Sequence, residues 1–187
     1  MLNFVEAPHV NGIDLAALGE VVEAIEKDPG QAKAAFEVTT QWAGQTRSET
    51  VIDGLTLGGQ RYKRQHRILA DEPCELLGTD SAPNPQELLM AAINACMMVG
   101  YVAGAATKGI RLDSVEIRTR GTLDLRGFLG LRDDVPPGYE AIDYDVVIKG
   151  DGSPEQFEEI HQAVMKTSPN YFNISRPVRM NGTLHVG

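Results

Sequence analysis

Two thiols, Cys74 and Cys96, are the side chains in this sequence best suited to nucleophilic or redox chemistry. A thiolate attacks disulfide sulfur or peroxide oxygen, and its reactivity depends on the charges gathered around it. Cys96 lies in NPQELLMAAINACMMVGYVAGAATKG, where no charged residue occurs from Leu88 to Ala106. It falls about three turns into the helix this stretch predicts, beyond the reach of the N-terminal helix dipole. An active thiolate at Cys96 therefore needs a cation from elsewhere in the fold, and arginine is suited because it stays charged when desolvated. Cys74, in DEPCELLG, is predicted to lie in an exposed loop, flanked by the carboxylates of Glu72 and Glu75. The opposing reading of Cys96 is a small, inert, buried hydrophobe, and the sequence pattern leaves both readings open.

The other chemistry-bearing residues form no recognisable constellation. His9, His66, His161 and His185 are scattered, and none pairs with a cysteine or acid at a ligand spacing, so neither metal nor cofactor is expected. The sequence has no phosphate-cradling glycine loop, no HExxH and no paired CxxC. The Asp71-Glu72 pair precedes a proline and reads as a solvated turn.

A net charge of −9 disfavours nucleic-acid phosphates and anionic membranes as partners. With 187 residues, 42% hydrophobic and 23% charged, the chain can build a sizeable core, and two cysteines do not make a disulfide framework. The N-terminus has no basic start followed by an apolar core, so a cytoplasmic location is expected.

The apolar stretch meets the length criterion for a membrane span, but its ends are those of a soluble helix. Asn84 predicts the cap, Pro85 fits the first helical position, Glu87 completes a capping box, and Gly109 marks the stop after Lys108. Asn94 and many alanines and glycines further weaken the membrane reading, and a central helix covered on all sides is expected instead. Ala92, Cys96, Gly100 and Gly104 recur every four residues, so a row of small side chains should let a second helix or a sheet press close.

Around this helix the period-2 and period-3.6 patterns predict further elements. A helix is expected over Ile13–Lys27, strands within Phe36–Thr50 and Leu55–Leu69, and a turn at Gly58-Gly59. After the central helix, strands are expected over Asp113–Thr122 and Ala141–Lys149. The apolar connection between them reads as a lid, a dimer contact or a cover for the edges of the core. A helix follows over Ser153–Lys166, with a box of Ser153 and Gln156, and a closing strand over Val178–Val186. Strands, helix, strands, helix is an α+β order, and a helix so uniformly apolar favours an intertwined dimer.

The sequence resembles the OsmC/Ohr family (osmotically inducible protein C and organic hydroperoxide resistance protein). The resemblance rests on NPQELLMAAINAC, supported by DEPCELLGTDSAP before it and by a helix ending in Ser168-Pro169. It covers residues 36–187, leaving 1–35 as an N-terminal helical extension. The resemblance implies antiparallel sheets wrapped around a long central helix in an intertwined homodimer. It further implies a thiol-dependent peroxidase that reduces organic hydroperoxides.

Cys96 takes the place of the peroxidatic thiol and Arg47 that of the arginine stabilising it, with Arg61, Arg64 and Arg67 as alternatives. Glu87 is the candidate for the acid orienting that arginine, although Gln86 occupies the family's glutamate position. Ser168 stands at the position of the second, resolving cysteine. A serine cannot form the disulfide that rescues a sulfenic acid, so turnover needs an external thiol reductant or Cys74. The alternative is a non-catalytic relative that holds a small apolar ligand at the dimer interface, lined by Phe128, Leu129, Leu131, Tyr171 and Phe172.

Overall fold

A computed structural model describes residues 9–187, so the first eight residues of the expected N-terminal extension lie outside the described residues. Two units are distinguished, one running up to Ala91 and the other from Ala92 to Gly187.

The first unit opens with a hairpin of β1 (His9–Val10) and β2 (Ile13–Asp14). Asn11 and Gly12 turn it with φ of 54° and 79°, the left-handed pair that a two-residue hairpin loop requires. The Asp14 carboxylate accepts the Ala16 and Ala17 N–H groups at 2.9 and 3.0 Å and starts α1 (Leu15–Lys27). The apolar positions of α1 are half-buried at Leu15, Leu18 and Ile25 but exposed at Val21 and Val22. A four-stranded antiparallel sheet follows, made of β3 (Ala34–Phe36), β4 (Thr39–Trp42), β5 (Ser48–Leu57) and β6 (Gln60–Ala70). β5 is central, with β6 along one side and β3 and β4 sharing the other. Gly58 and Gly59, both at positive φ, make the expected turn.

The loop after β6 is organised by Asp71, which is only 1% exposed. Its carboxylate accepts hydroxyls from Thr46, Thr79 and Ser81 and backbone N–H groups from Glu72, Thr79 and Ser81. These donors, the Thr46 hydroxyl foremost, hold the Asp71 carboxyl well below the ordinary carboxylate range. Asp71 is thus a buried clamp rather than a solvated turn acid. A Cβ on Gly78 would fall 1.7 Å from the Glu72 carbonyl oxygen, so only glycine fits this loop.

The loop delivers the chain into α2 (Pro85–Thr107), and the expected capping box is present. Asn84 Oδ1 accepts the Gln86 and Glu87 N–H groups at 2.8 and 3.2 Å, while Glu87 Oε2 accepts the Asn84 N–H at 2.8 Å. Among the described residues, α2 is the one helix long and apolar enough to cross a membrane.

The second unit contains most of α2, then β7 (Leu112–Gly121), α3 (Leu125–Phe128), β8 (Ile142–Gly150), α4 (Pro154–Thr167) and α5 (Pro169–Ser175). α2 ends in a Schellman motif: Ile110 N–H donates to Ala105 O, Gly109 N–H donates to Ala106 O, and Gly109 has φ of 70°. β7 and β8 pair antiparallel from Leu112↔Gly150 to Gly121↔Ile142. Asn94 is explained by β7, since Thr119 Oγ1 donates to its side chain at 2.5 Å. The core is Ile93, Met97, Tyr101, Ala105 and Ala106 of α2, with Ile110, Ile160 and Val164.

The expected closing strand needs correction. Residues 178–186 form no strand; Val178, Met180, Leu184 and Val186 are exposed. Alternation supplies strand propensity, but a strand exists only with a ladder partner, and the tail has none among the described residues. On α2, Ala91, Ala95 and Val99, four residues apart, form an exposed row, with Val99 68% exposed. The antiparallel α+β arrangement holds.

Candidate functional site

The row of small residues on α2 is the surface on which α4 and α5 lie. A methyl group added at Gly100 would come within 2.9 Å of Val164 Cγ2, and one at Gly104 within 3.1 Å of Ile160 Cγ2. Each bare Cα therefore receives a branched side chain of α4, whose full burial contributes about 1.5–3 kcal/mol. Lys108 Nζ to Glu159 at 2.7 Å ties the far end of the two helices. At the near end, Asn170 Nδ2 donates to the Ala92 carbonyl at 2.8 Å. The partner anticipated for this row is thus α4 of the same chain.

The same packing fixes the neighbour of Cys96. Ile160, Val164 and Ser168 are spaced by four, so the row on α4 runs alongside Gly104, Gly100 and Cys96. Ser168 Oγ donates to Cys96 Sγ at 3.2 Å. Ser168 is 5% exposed, and Cys96 is half-buried. Three local bonds hold the serine in place. Its N–H donates to Val164 O at 2.8 Å, ending α4, and its carbonyl accepts the Phe172 N–H at 3.0 Å. Its hydroxyl also accepts the Tyr171 N–H at 3.4 Å, capping α5. Pro169 at the first position of α5 forces the break between the helices. A hydroxyl oriented this way presents its proton to the sulfur, where it stabilises negative charge on a thiolate or sulfenate.

An aromatic cluster continues from this corner. Tyr171 meets Tyr144 edge-on at 6.2 Å, Tyr144 lies 6.2 Å from the His161 ring, and His161 stacks on Tyr101 at 6.0 Å. Tyr101 Oη is 2.5 Å from His161 Nδ1, and burial pushes the Tyr101 phenol above its ordinary range. A cavity of about 350 Å³ lies beside the cluster, lined by Ile93, Tyr139, Ile142, Tyr144, Tyr171 and Ile174. Ile93 is three residues before Cys96, and Tyr171 three after Ser168.

Sequence reasoning missed His161, because its partner Tyr101 is 60 residues away. The only signal was its place next to Ile160 on the buried side of an amphipathic helix. Of the residues expected to line an apolar pocket, only Tyr171 lines this cavity; Phe128, Leu129, Leu131 and Phe172 are exposed.

Arg47, Glu87 and Cys74 belong to the first unit. Arg47 is exposed and closes the turn between β4 and β5, its Nε 3.5 Å from Gly44 O. Glu87 is engaged in the cap of α2. Cys74 is an exposed free thiol in the helical turn Cys74–Leu76, as expected. Among the described residues no cluster of three or more His, Cys, Asp or Glu side chains is arranged to hold a metal.

A family model described as OsmC-like protein matches residues 78–181. Among solved structures, the chain is similar to an OsmC-like protein from Mycoplasma pneumoniae, with a TM-score of 0.60 at 17% identity over 75% of this chain and 86% of that one. It is also similar to an OsmC-like protein of unknown function from Vibrio cholerae, with a TM-score of 0.52 at 16% identity over 73% of this chain and 91% of that one. A hypothetical protein from Aquifex aeolicus gives a TM-score of 0.55 at 17% identity, over 75% and 87% of the two chains. No curated protein matches the sequence.

Proposed function

Because the chain belongs to the OsmC-like family, we propose that it is a one-cysteine thiol peroxidase of that family acting on organic hydroperoxides in oxidative-stress defence. The observation that supports this reading is the Ser168 hydroxyl donating to Cys96 at 3.2 Å, at the position where a resolving cysteine would stand. The Cys96 thiolate attacks the terminal oxygen of the hydroperoxide. An S–O bond forms, the O–O bond breaks, and the alkoxide takes a proton and leaves as the alcohol. Cys96 is left as sulfenic acid. A small thiol then condenses with it, releasing water and forming a mixed disulfide, and a second thiol restores Cys96 and leaves as the oxidised disulfide. The serine gives the Cys96 sulfur a hydrogen bond but cannot form the disulfide. Arg47 and Glu87 keep the roles the resemblance implies, as the cation and its orienting acid, and Cys74 is an auxiliary thiol.

The reading includes a cytoplasmic homodimer of residues 36–187 with 1–35 as an extension. Two surfaces support a second copy: the bare row of Ala91, Ala95 and Val99, and the alternating apolar tail from Val178 to Val186.

The test is exposure of the reduced chain to cumene hydroperoxide with dimedone present, followed by peptide mass mapping. The expected result is a dimedone adduct on Cys96 and, in a parallel reaction with a dithiol in place of dimedone, alcohol formed in step with dithiol consumption. An unmodified Cys96 that still reacts with a thiol reagent after unfolding would sink the proposal.

The cavity of about 350 Å³ beside Tyr171 favours a second reading, in which the protein binds a small apolar ligand and Cys96 is packing. That reading requires Cys96→Ala to leave ligand binding unchanged in native mass spectra.

A further inference from the structure

We propose that the concave surface of β5 and β6 is a binding site for a small organic anion carrying a phosphate or comparable dianionic group. β6 reads QRYKRQHR from Gln60 to Arg67, so Arg61, Lys63, Arg64 and Arg67 place four of the chain's 17 Lys and Arg residues on one short strand. The protein as a whole carries −9, so this concentration runs against its overall field. Together with Val51, Ile52 and the carboxylate of Asp53, these four cations line a concavity of about 900 Å³.

The cations are not equivalent. Arg61 donates to Asp53 at 2.8 Å, and Arg67 pairs with Glu49. Lys63 and Arg64 have no carboxylate partner among the described residues. Arg64 Nη2 instead lies 3.1 Å from His66 Nε2. A guanidinium carries only donors, so His66 Nε2 is the acceptor and helps orient the arginine without neutralising it.

Backbone geometry contributes as well. The ladder passes from Ile52↔His66 to Gly54↔Lys63, so Asp53 alone faces Arg64 and Gln65. Such a bulge re-aims side chains. A Cβ on Gly54 would come within 3.2 Å of the Arg61 guanidinium and 2.8 Å of Tyr62 O; glycine therefore leaves room for Arg61 to lie against the strand.

Charges along an edge strand also deter aggregation, but that role needs no shared concavity with an apolar wall. Val51 and Ile52 supply such a wall beside two uncompensated cations, which suits an anion with an apolar body. Size is set by the rest of the chain. With a Debye length of about 8 Å at physiological salt, a small ligand feels the local cations, whereas a long polyanion meets the acidic surface around them.

The test uses the full chain titrated with phenyl phosphate and with inorganic pyrophosphate, read by amide chemical shifts and calorimetry at about 20 and about 150 mM salt. Saturable shifts confined to β5 and β6 are expected. Affinity should be at least tenfold weaker in K63A/R64A and unchanged in R118A. Should the double variant lose its fold by circular dichroism, K63Q and R64Q replace it. Vesicles of phosphatidylcholine containing phosphatidic acid distinguish the source: their co-sedimentation with the wild type, lost in the double variant, assigns the anion to a lipid headgroup, and phenyl phosphate binding without co-sedimentation assigns it to a soluble ligand. The proposal is overturned if no anion gives saturable shifts, if the double variant binds equally well, or if an oligonucleotide binds where phenyl phosphate and vesicles do not.

Discussion

Ser168 and Cys96 are 72 residues apart in sequence, yet the serine hydroxyl donates to the cysteine sulfur at 3.2 Å. One neutral hydrogen bond is worth about 0.5–1.5 kcal/mol, which corresponds to roughly 2- to 12-fold in a rate if it is made fully in the transition state. Ser168→Ala is therefore expected to slow sulfenic acid formation at Cys96 by about that factor. Cys96→Ser should abolish it. Stopped-flow peroxide consumption with single-turnover trapping measures both. A Ser168→Ala rate equal to wild type would leave the serine with a capping role only.

The same contact makes a constructive prediction. Ser168→Cys places a second sulfur where the hydroxyl now lies, within reach of a small adjustment to disulfide geometry. Treatment with one equivalent of hydroperoxide should yield an intramolecular disulfide between Cys96 and the introduced thiol, seen as a mass decrease of about 2 Da and loss of dimedone reactivity. Persistent sulfenic acid in this variant would show that the two positions cannot close.

Gly100 and Gly104 should respond differently to alanine. In a helix interior, Gly→Ala favours folding by about 1 kcal/mol, while overpacking a core costs about 1–3 kcal/mol. At Gly100 the new methyl meets Val164 Cγ2 at 2.9 Å, and Val164 is stiff and buried, so steric cost wins. At Gly104 the nearest atom is Ile160 Cγ2 at 3.1 Å, and the two effects nearly cancel. Urea unfolding should show Gly100→Ala less stable than wild type by about 1–2 kcal/mol and Gly104→Ala within about 0.5 kcal/mol. The reverse order would mean that α4 shifts freely on α2.

Asp71 sets the acid side of stability. Its folded-state pKa is depressed, so its contribution is fully present above the unfolded carboxylate value of about 4 and is lost as pH falls below it. Asp71→Asn should lower the melting temperature by several degrees at pH 7. The gap from wild type should narrow between about pH 4 and pH 2. Melting curves across that range decide it, and a constant gap would remove the linkage.

The exposed row on α2 gives a test of assembly. Val99→Asp is expected to convert the proposed dimer to a monomer in light scattering, with the helical content retained. A wild-type chain already monomeric at micromolar concentration would refute the dimer, and with it the interface ligand site.

Local chemistry made much of this protein legible from its sequence. Asn84 and Glu87 fix one end of α2 and Gly109 the other, and Ser153 with Gln156 starts α4, because caps involve only neighbours in the chain. The spacing of Ala92, Cys96, Gly100 and Gly104 required a close-packed neighbour for the same reason, since four residues bring side chains onto one face. Tertiary structure decided which neighbour that would be, and hence that Ser168 would meet Cys96 and His161 would meet Tyr101. It also left residues 178–186 without a strand, made Asp71 a buried clamp, and turned the cations of β6 into one surface. Those outcomes depend on which distant segments share space, and short-range propensity carries no information about that.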